Sequence, residues 1–289
     1  MTEPYFDVEG HIACVRLTAP PRTKHNSIPR LLFKASEVDV SSMASLPQDV
    51  IVRPLNPVIG RNGLLDRYFY FAMSLLFAAI VVVGFSRTVN QNLFHPAIPR
   101  PLILWFHGAA FSAWVVFFIF QSALVRTHNV KWHRFFGWFG AGLGAAMVLL
   151  GFTTAVVMGR FDAVQLHQPD PAFLSIPFYD MVAFAVPLVL AISWRRKPEF
   201  HRRLLFIATC ALMDAPFGRF DFLFNNNLFF ACLDAVLLLG VARDLLVNRR
   251  VHTVYRYALP LVIMGQGLAI YLWRGAPSWW LRITHAIIG

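Results

Sequence analysis

Little in this sequence supports a water-soluble enzyme. Charged residues fill 14% of its 289 positions, where ordinary soluble domains carry about 25%. Cysteine occurs three times, as Cys14, Cys210 and Cys232. That is too few for a disulfide framework, and no CxxC pair exists, so the three read as small buried apolar residues. The sequence has no GxGxxG, P-loop, HExxH or GxSxG. These absences remove the usual dinucleotide, nucleotide, zinc-protease and serine-hydrolase signatures. No span holds an HxxxH, which counts against the seven-helix zinc hydrolases. Acidic residues are scarce as well: 15 Asp and Glu stand against 26 Lys and Arg. In a soluble protein that excess would suggest nucleic acid. Here the basic residues bracket long apolar runs, and the segments between runs are too short to hold a nucleic-acid or catalytic domain.

What the sequence does have is hydrophobicity. Apolar residues make up 57% of the chain, and the mean hydropathy is +0.55. A helix needs roughly 20 mostly apolar residues to cross the hydrocarbon layer. Seven such runs occur, near 67–86, 101–125, 135–159, 172–194, 203–222, 227–247 and 255–273. The expected fold is therefore an all-α, polytopic membrane helix bundle of seven transmembrane helices. The fifth run is the weakest. Its clean core, Leu204 to Met213, is followed by Asp214, Pro216, Arg219 and Asp221, which predicts a broken or re-entrant span.

Charge placement gives the orientation, because cytoplasmic segments carry the excess of Lys and Arg. With the N-terminus inside, only Arg87, Arg100, Arg160, Arg219, Arg274 and Arg282 fall outside; the other 20 of the 26 fall inside. The expected topology has a cytoplasmic N-terminus and a periplasmic C-terminus, in a bacterial inner membrane. Removing the fifth span would put RRKPEFHRR (195–203) and VNRRVHTVYR (247–256) on opposite sides, against this rule.

Three regions follow from the pattern. Residues 1–60 have no apolar run and hence no signal peptide, and APPR, SIPR and RPLNP break any period. This region reads as an irregular cytoplasmic tail with a short strand around Ile12 to Leu17. Met43 offers a compact alternative start that would make 1–42 dispensable. Residues 61–275 form the seven-helix domain. Residues 276–289, containing PSWWLRITHAIIG, form a short amphipathic segment on the outer interface. Trp138, Trp194, Trp273, Trp279 and Trp280 sit near span ends, where an interfacial aromatic belt belongs. Gly137, Gly140, Gly144 and Gly151 give the third helix a small-residue face and predict that it is central in the bundle.

Ionisable groups inside spans are costly and are usually functional. At about 1.5 Å rise per residue, His107, Asp180, Asp214 and Asp234 all fall roughly 9 Å below the outer ends of their helices. One histidine and three carboxyls thus share one layer. Three lone carboxylates there would need shared protons, pairing with Arg219, or a bound cation. His107 is expected to face the aspartates. His107 and Asp180 are the candidate ligands if the cation is a divalent metal. The stripe Phe111, Trp114, Phe118 and Gln121 would line the path below. Scattered His and Asp can equally serve only to hydrogen-bond helices together. At the inner surface, KWHRFFG (131–137), EFHRRLL (199–205) and VHTVYRYAL (251–259) each pair a histidine with arginine. Binding lipid headgroups explains such groups. Alternatively, His133 and His201 converge as axial ligands of a haem b.

LWFHGAAFSAWVVFFIFQ, KWHRFFGWFGAGLG and FYDMVAFAVPLVLAISWRRKPEFHRRLLFIATCALMDA together resemble a broad group of uncharacterised bacterial multi-pass membrane proteins, a domain of unknown function. The resemblance covers about residues 64–273. It implies the architecture, brings no reaction with it, and makes His107, His133, Asp180, His201 and Asp214 the positions to test first.

Three functions remain open from sequence. The first is a membrane protein with an outer-half polar pocket for protons, a cation or a small polar ligand, acting as a sensor or accessory subunit rather than a pump. The second is a b-type haem oxidoreductase. The third is a structural or assembly subunit. The expected surroundings are the lipid bilayer and a membrane-protein partner or second copy of the chain.

Overall fold

The structure is a computed structural model that describes residues 5–6, 12–13 and 61–288. The chain divides into two units, Met1–Asn56 and Pro57–Gly289. In the first, the strands Tyr5–Phe6 and Ile12–Ala13 pair antiparallel, Tyr5 opposite Ala13. The expected strand around Ile12 is thus present over two residues. Its continuation to Leu17, the irregular tail, Cys14 and the start at Met43 lie outside the described residues.

The second unit is helical throughout its described residues. Its helices are α1 (Arg61–Ser86), α2 (Ile103–Arg126), α3 (Val130–Gln165), α4 (Ser175–Ser193), α5 (Pro198–Ala211), α6 (Asp214–Phe217), α7 (Asp221–Asn225), α8 (Phe229–Asn248), α9 (Thr253–Gly275) and α10 (Ser278–Ile288). Among them, four stretches are long and apolar enough to cross a membrane: Gly63–Ser86, Ile103–Arg126, Val130–Gln165 and Pro171–Ser193. The last includes the 3-10 turn Pro171–Leu174 ahead of α4. The other three expected spans fall short for visible reasons. α5 has only 14 residues, α8 carries Asp234, Arg243 and Asp244, and α9 carries Arg256, Pro260, Gln266 and Arg274.

The break in the expected fifth span has a local cause. Pro216 has no N–H to donate four residues back, so it kinks or breaks a helix interior and fits best in a first turn. The helix therefore stops at Ala211, turns through Leu212 and Met213, and restarts at Asp214. α1 approaches this restart so closely that a side chain at Gly84 would strike the Pro216 carbonyl.

The centre of the bundle is α5, not α3. From Arg203 to Met213 every residue of α5 and its end except Leu205 is buried, with Phe206, Ala208 and Thr209 at 0% exposure. Phe206 packs against Phe69 and Phe77 of α1. The small face of α3 does bring helices close: Gly144 leaves room for Leu188 of α4, and Gly140 for Phe117 of α2. Small residues show that a helix is approached closely but not on how many sides. The opposite face of α3 is open, with Trp138, Phe139 and Leu149 at 62–71% exposure. Continuous apolar surface of this kind is rare on soluble proteins.

α10 is a helix, as its amphipathic pattern requires, and it packs on α3 and the 3-10 turn. Trp280 donates to the Ala172 carbonyl at 3.1 Å, and Arg160 holds the Ile287 carbonyl at 2.6 Å. Of the five tryptophans assigned to an aromatic belt, Trp138, Trp194 and Trp279 are exposed while Trp273 and Trp280 are buried. Trp273 donates to Asp170 at 2.9 Å. These two indoles fasten one end of the bundle rather than face outward.

Candidate functional site

The polar residues expected in the outer half separate into distinct environments. Asp180 lies on α4 and is buried; Asp214 opens α6 just past the break in the fifth span and is buried too. Their carboxyl groups lie close enough to interact directly. The break places Asp214 in a first turn instead of carrying it around a continuous helix. One oxygen of each, Asp180 Oδ1 and Asp214 Oδ1, is buried without a hydrogen-bond partner among the described residues. Around the pair, Tyr179 donates to the Val262 carbonyl at 3.0 Å, and Ser175 to the Ala269 carbonyl at 2.8 Å. Both bonds tie α4 to α9.

Asp234 on α8 is not part of the pair. It accepts from Gln266 Nε2 of α9 at 2.9 Å, a helix-to-helix hydrogen bond. Among the described residues Arg219 pairs with no carboxylate at ion-pair distance; its guanidinium lies over the Phe85 ring, 5.2 Å from the centroid. His107 stacks on Phe111 with ring centroids 4.1 Å apart. Its Nδ1 is buried without a partner among the described residues, and no hydrogen bond joins it to the aspartates. The stripe below it does face inward: Trp114, Phe118 and Gln121 are buried, and Trp114 donates to Thr209 at the core of α5 at 3.4 Å.

Equal depth thus brought two of the four ionisable groups together. Depth fixes height along a helix and leaves the direction around it open. Among the described residues no three His, Cys, Asp or Glu converge as a metal cage would require.

The opposite end holds a cluster that the sequence reading missed. Arg203 and Asp244, both at 0% exposure, form a two-pronged pair: Nε to Oδ2 at 2.8 Å and Nη2 to Oδ1 at 2.5 Å. Arg243 donates to Asp244 at 2.7 Å and also bonds Asp66 of α1. Glu199 accepts from Arg203 at 2.6 Å and from Arg202 at 2.7 Å, and Asn248 donates to Asp244 at 3.2 Å. Three arginines and three carboxylates therefore close α1, α5 and α8 against one another. Arg203 faces the core, so headgroup binding does not describe it. A signal was available: Glu199 and Arg203 stand four apart on one helix face, and Arg243-Asp244 interrupts an otherwise apolar run.

The two histidines assigned to a haem do approach each other. The His133 and His201 rings are 6.2 Å apart at 83°. His252 lies elsewhere, against Phe200 at 4.8 Å, where its Nδ1 accepts the Val254 N–H as an N-cap at 3.2 Å.

Comparison with family models, with curated proteins and with solved structures finds no match to this chain.

Proposed function

We propose that this chain is a seven-span membrane protein, N-terminus inside and C-terminus outside, whose Asp180–Asp214 pair binds a proton in the outer half of the bilayer. The contact between those two buried carboxyls carries the reading. A carboxylate only accepts hydrogen bonds, so two carboxyls can bond each other only when one holds a proton. Two like charges side by side and away from water cannot both persist.

The ends of the bundle support the topology. All the partners of the Arg203–Asp244 cluster lie in segments that the charge rule puts inside. The contacts of Arg100 with Asp162, Arg87 with Phe220 and Arg274 with Asn227 join segments that it puts outside. The break after Ala211 is compatible with a crossing, since α5 and α6 together with the turn span 198–217, about 30 Å at helical rise.

Chemistry favours a proton over the other ligands. Two carboxyls alone are fewer ligands than a divalent cation takes. Below the pair, Trp114, Phe118, Phe184 and Phe206 pack tightly against one another, and the ion cluster closes the far end. A continuous path across the protein has no place in this packing, which favours a sensor or accessory subunit over a pump.

The test is infrared difference spectroscopy of the purified, reconstituted protein through a pH titration. A protonated-carboxyl C=O band present at neutral pH in the wild type, and lost in both Asp180→Asn and Asp214→Asn, supports the reading. Absence of that band, or its persistence in both variants, overturns it.

A further inference from the structure

We infer that His133 and His201 ligate a single imidazole-bound transition-metal centre where α3 and α5 begin. The site is separate from the carboxyl pair and stands whether or not that pair holds a proton.

The orientation of His201 is the first observation. Its Nδ1 lies 2.8 Å from the Ala191 carbonyl at the end of α4. A carbonyl oxygen only accepts, so Nδ1 carries the hydrogen and Nε2 keeps its lone pair. Fixing one imidazole nitrogen on a backbone carbonyl is how proteins aim the other at a metal.

The second observation is unsatisfied polarity. Gln121 on α2 is 8% exposed, and neither its Oε1 nor its Nε2 has a partner among the described residues. His133 Nδ1 is buried in the same condition, and the Gln121 backbone carbonyl lies against the His133 ring. A buried amide left unpaired is costly, so the unpaired atoms of Gln121 and His133, two residues joined through the Gln121 backbone, point to a missing partner.

The third is spacing. Two imidazoles that bind one metal from opposite sides, with metal–nitrogen bonds of about 2 Å, place their ring centres roughly 6 Å apart, and here they are 6.2 Å apart. With no third His, Cys, Asp or Glu converging among the described residues, a four-ligand zinc site does not fit. A metal that brings its other ligands with it, porphyrin-bound iron, fits two axial histidines. A two-coordinate copper(I) ion fits them as well. The unpaired Gln121 amide would be the hydrogen-bond partner of whatever accompanies the metal.

The experiment uses the full-length protein purified from membranes of haem- and copper-replete cells. Absorbance and metal content are measured together. One iron per chain with a Soret band, or one copper per chain without it, supports the site and identifies which source fills it. His133→Gln and His201→Gln each remove at least nine-tenths of that metal, while Asp180→Asn leaves it in place. Circular dichroism and size exclusion identify the variants that fold. Gln121→Leu, which keeps both imidazoles, retains the metal but shifts its absorption band or its copper(I) affinity. A wild type without bound metal, or folded histidine variants that retain it, overturns the inference.

Discussion

Neutralising Asp244 should damage this protein more than any other single charge change at the same end. Asp244 accepts two bonds from Arg203, one from Arg243 and one from Asn248. Arg203 and Asp244 are both at 0% exposure and Arg243 at 1%. In Asp244→Asn two buried guanidiniums lose their shared counter-charge, and breaking a buried pair from one side costs about 3–5 kcal/mol. Glu199 still holds Arg203, and Asp66 still holds Arg243, which argues for the lower end, about 3 kcal/mol. Asp66→Asn provides the scale, because Asp66 is 44% exposed and exposed pairs contribute about 0–1 kcal/mol. The double variant Arg203→Met with Asp244→Leu removes the charges together and should recover at least half of the single variant's loss, as apolar replacement of a buried pair commonly does. Equilibrium unfolding by sodium dodecyl sulfate titration in mixed micelles measures all three. Equal losses in Asp244→Asn and Asp66→Asn would refute the claim that the pair is shielded from water, and with it the picture of a closed inner end.

The remaining expectations follow from single contacts. Gly84→Leu drives a side chain into the Pro216 carbonyl; overpacking of this kind costs about 1–3 kcal/mol, seen as a lower melting temperature in detergent, whereas Gly142→Leu, open on every side, should be nearly silent. Gln266→Leu breaks the bond to Asp234 and should cost about 0.6 kcal/mol, as interhelical hydrogen bonds in membranes do; a loss several times larger would show that Asp234 is charged and has lost its only restraint. Glu199 sets a pH dependence: burial pushes its carboxyl up, but the Arg203 hydrogen bond and the Arg202 and Arg203 charges outweigh that and hold it below its ordinary 4.5. Its contribution to stability is therefore present above pH 4.5 and lost as pH falls through and below that value. Thermal unfolding of Glu199→Gln should have a flatter acid limb than the wild type, with a gap that narrows in high salt because Glu199 is half exposed.

How much of this was readable beforehand depends on which property of a residue the sequence encodes. Hydrophobic run length identified α1 to α4, whose apolar faces are open and must be uniform. It undervalued α5, because a helix wrapped by other helices can place Glu199, His201, Arg202 and Arg203 in its first turns and satisfy them with protein partners. The break at Asp214 was legible because Pro216 follows close on a charged residue, a pairing absent around Pro187 and Pro260, through which α4 and α9 run unbroken. Small residues on α3 correctly marked close approach, and misled about centrality, since α3 meets its neighbours along one face only. Among the ionisable groups, position along the helix gave height, and height grouped Asp180 with Asp214. The angle around each helix axis is set by packing, which turned His107 onto Phe111 and Asp234 toward Gln266. Arg203 shows the same limit from the other side: it was counted as a positive charge at a span end, and nothing in that count told that its side chain points into the core. Its partner Asp244 lies 41 positions away in the chain, and only the packing of α5 on α8 joins them. The electrostatics of this bundle are thus written in pairs between helices, and a substitution that alters helix rotation by itself, such as Gly84→Leu, should disturb carboxyl and guanidinium contacts it never touches.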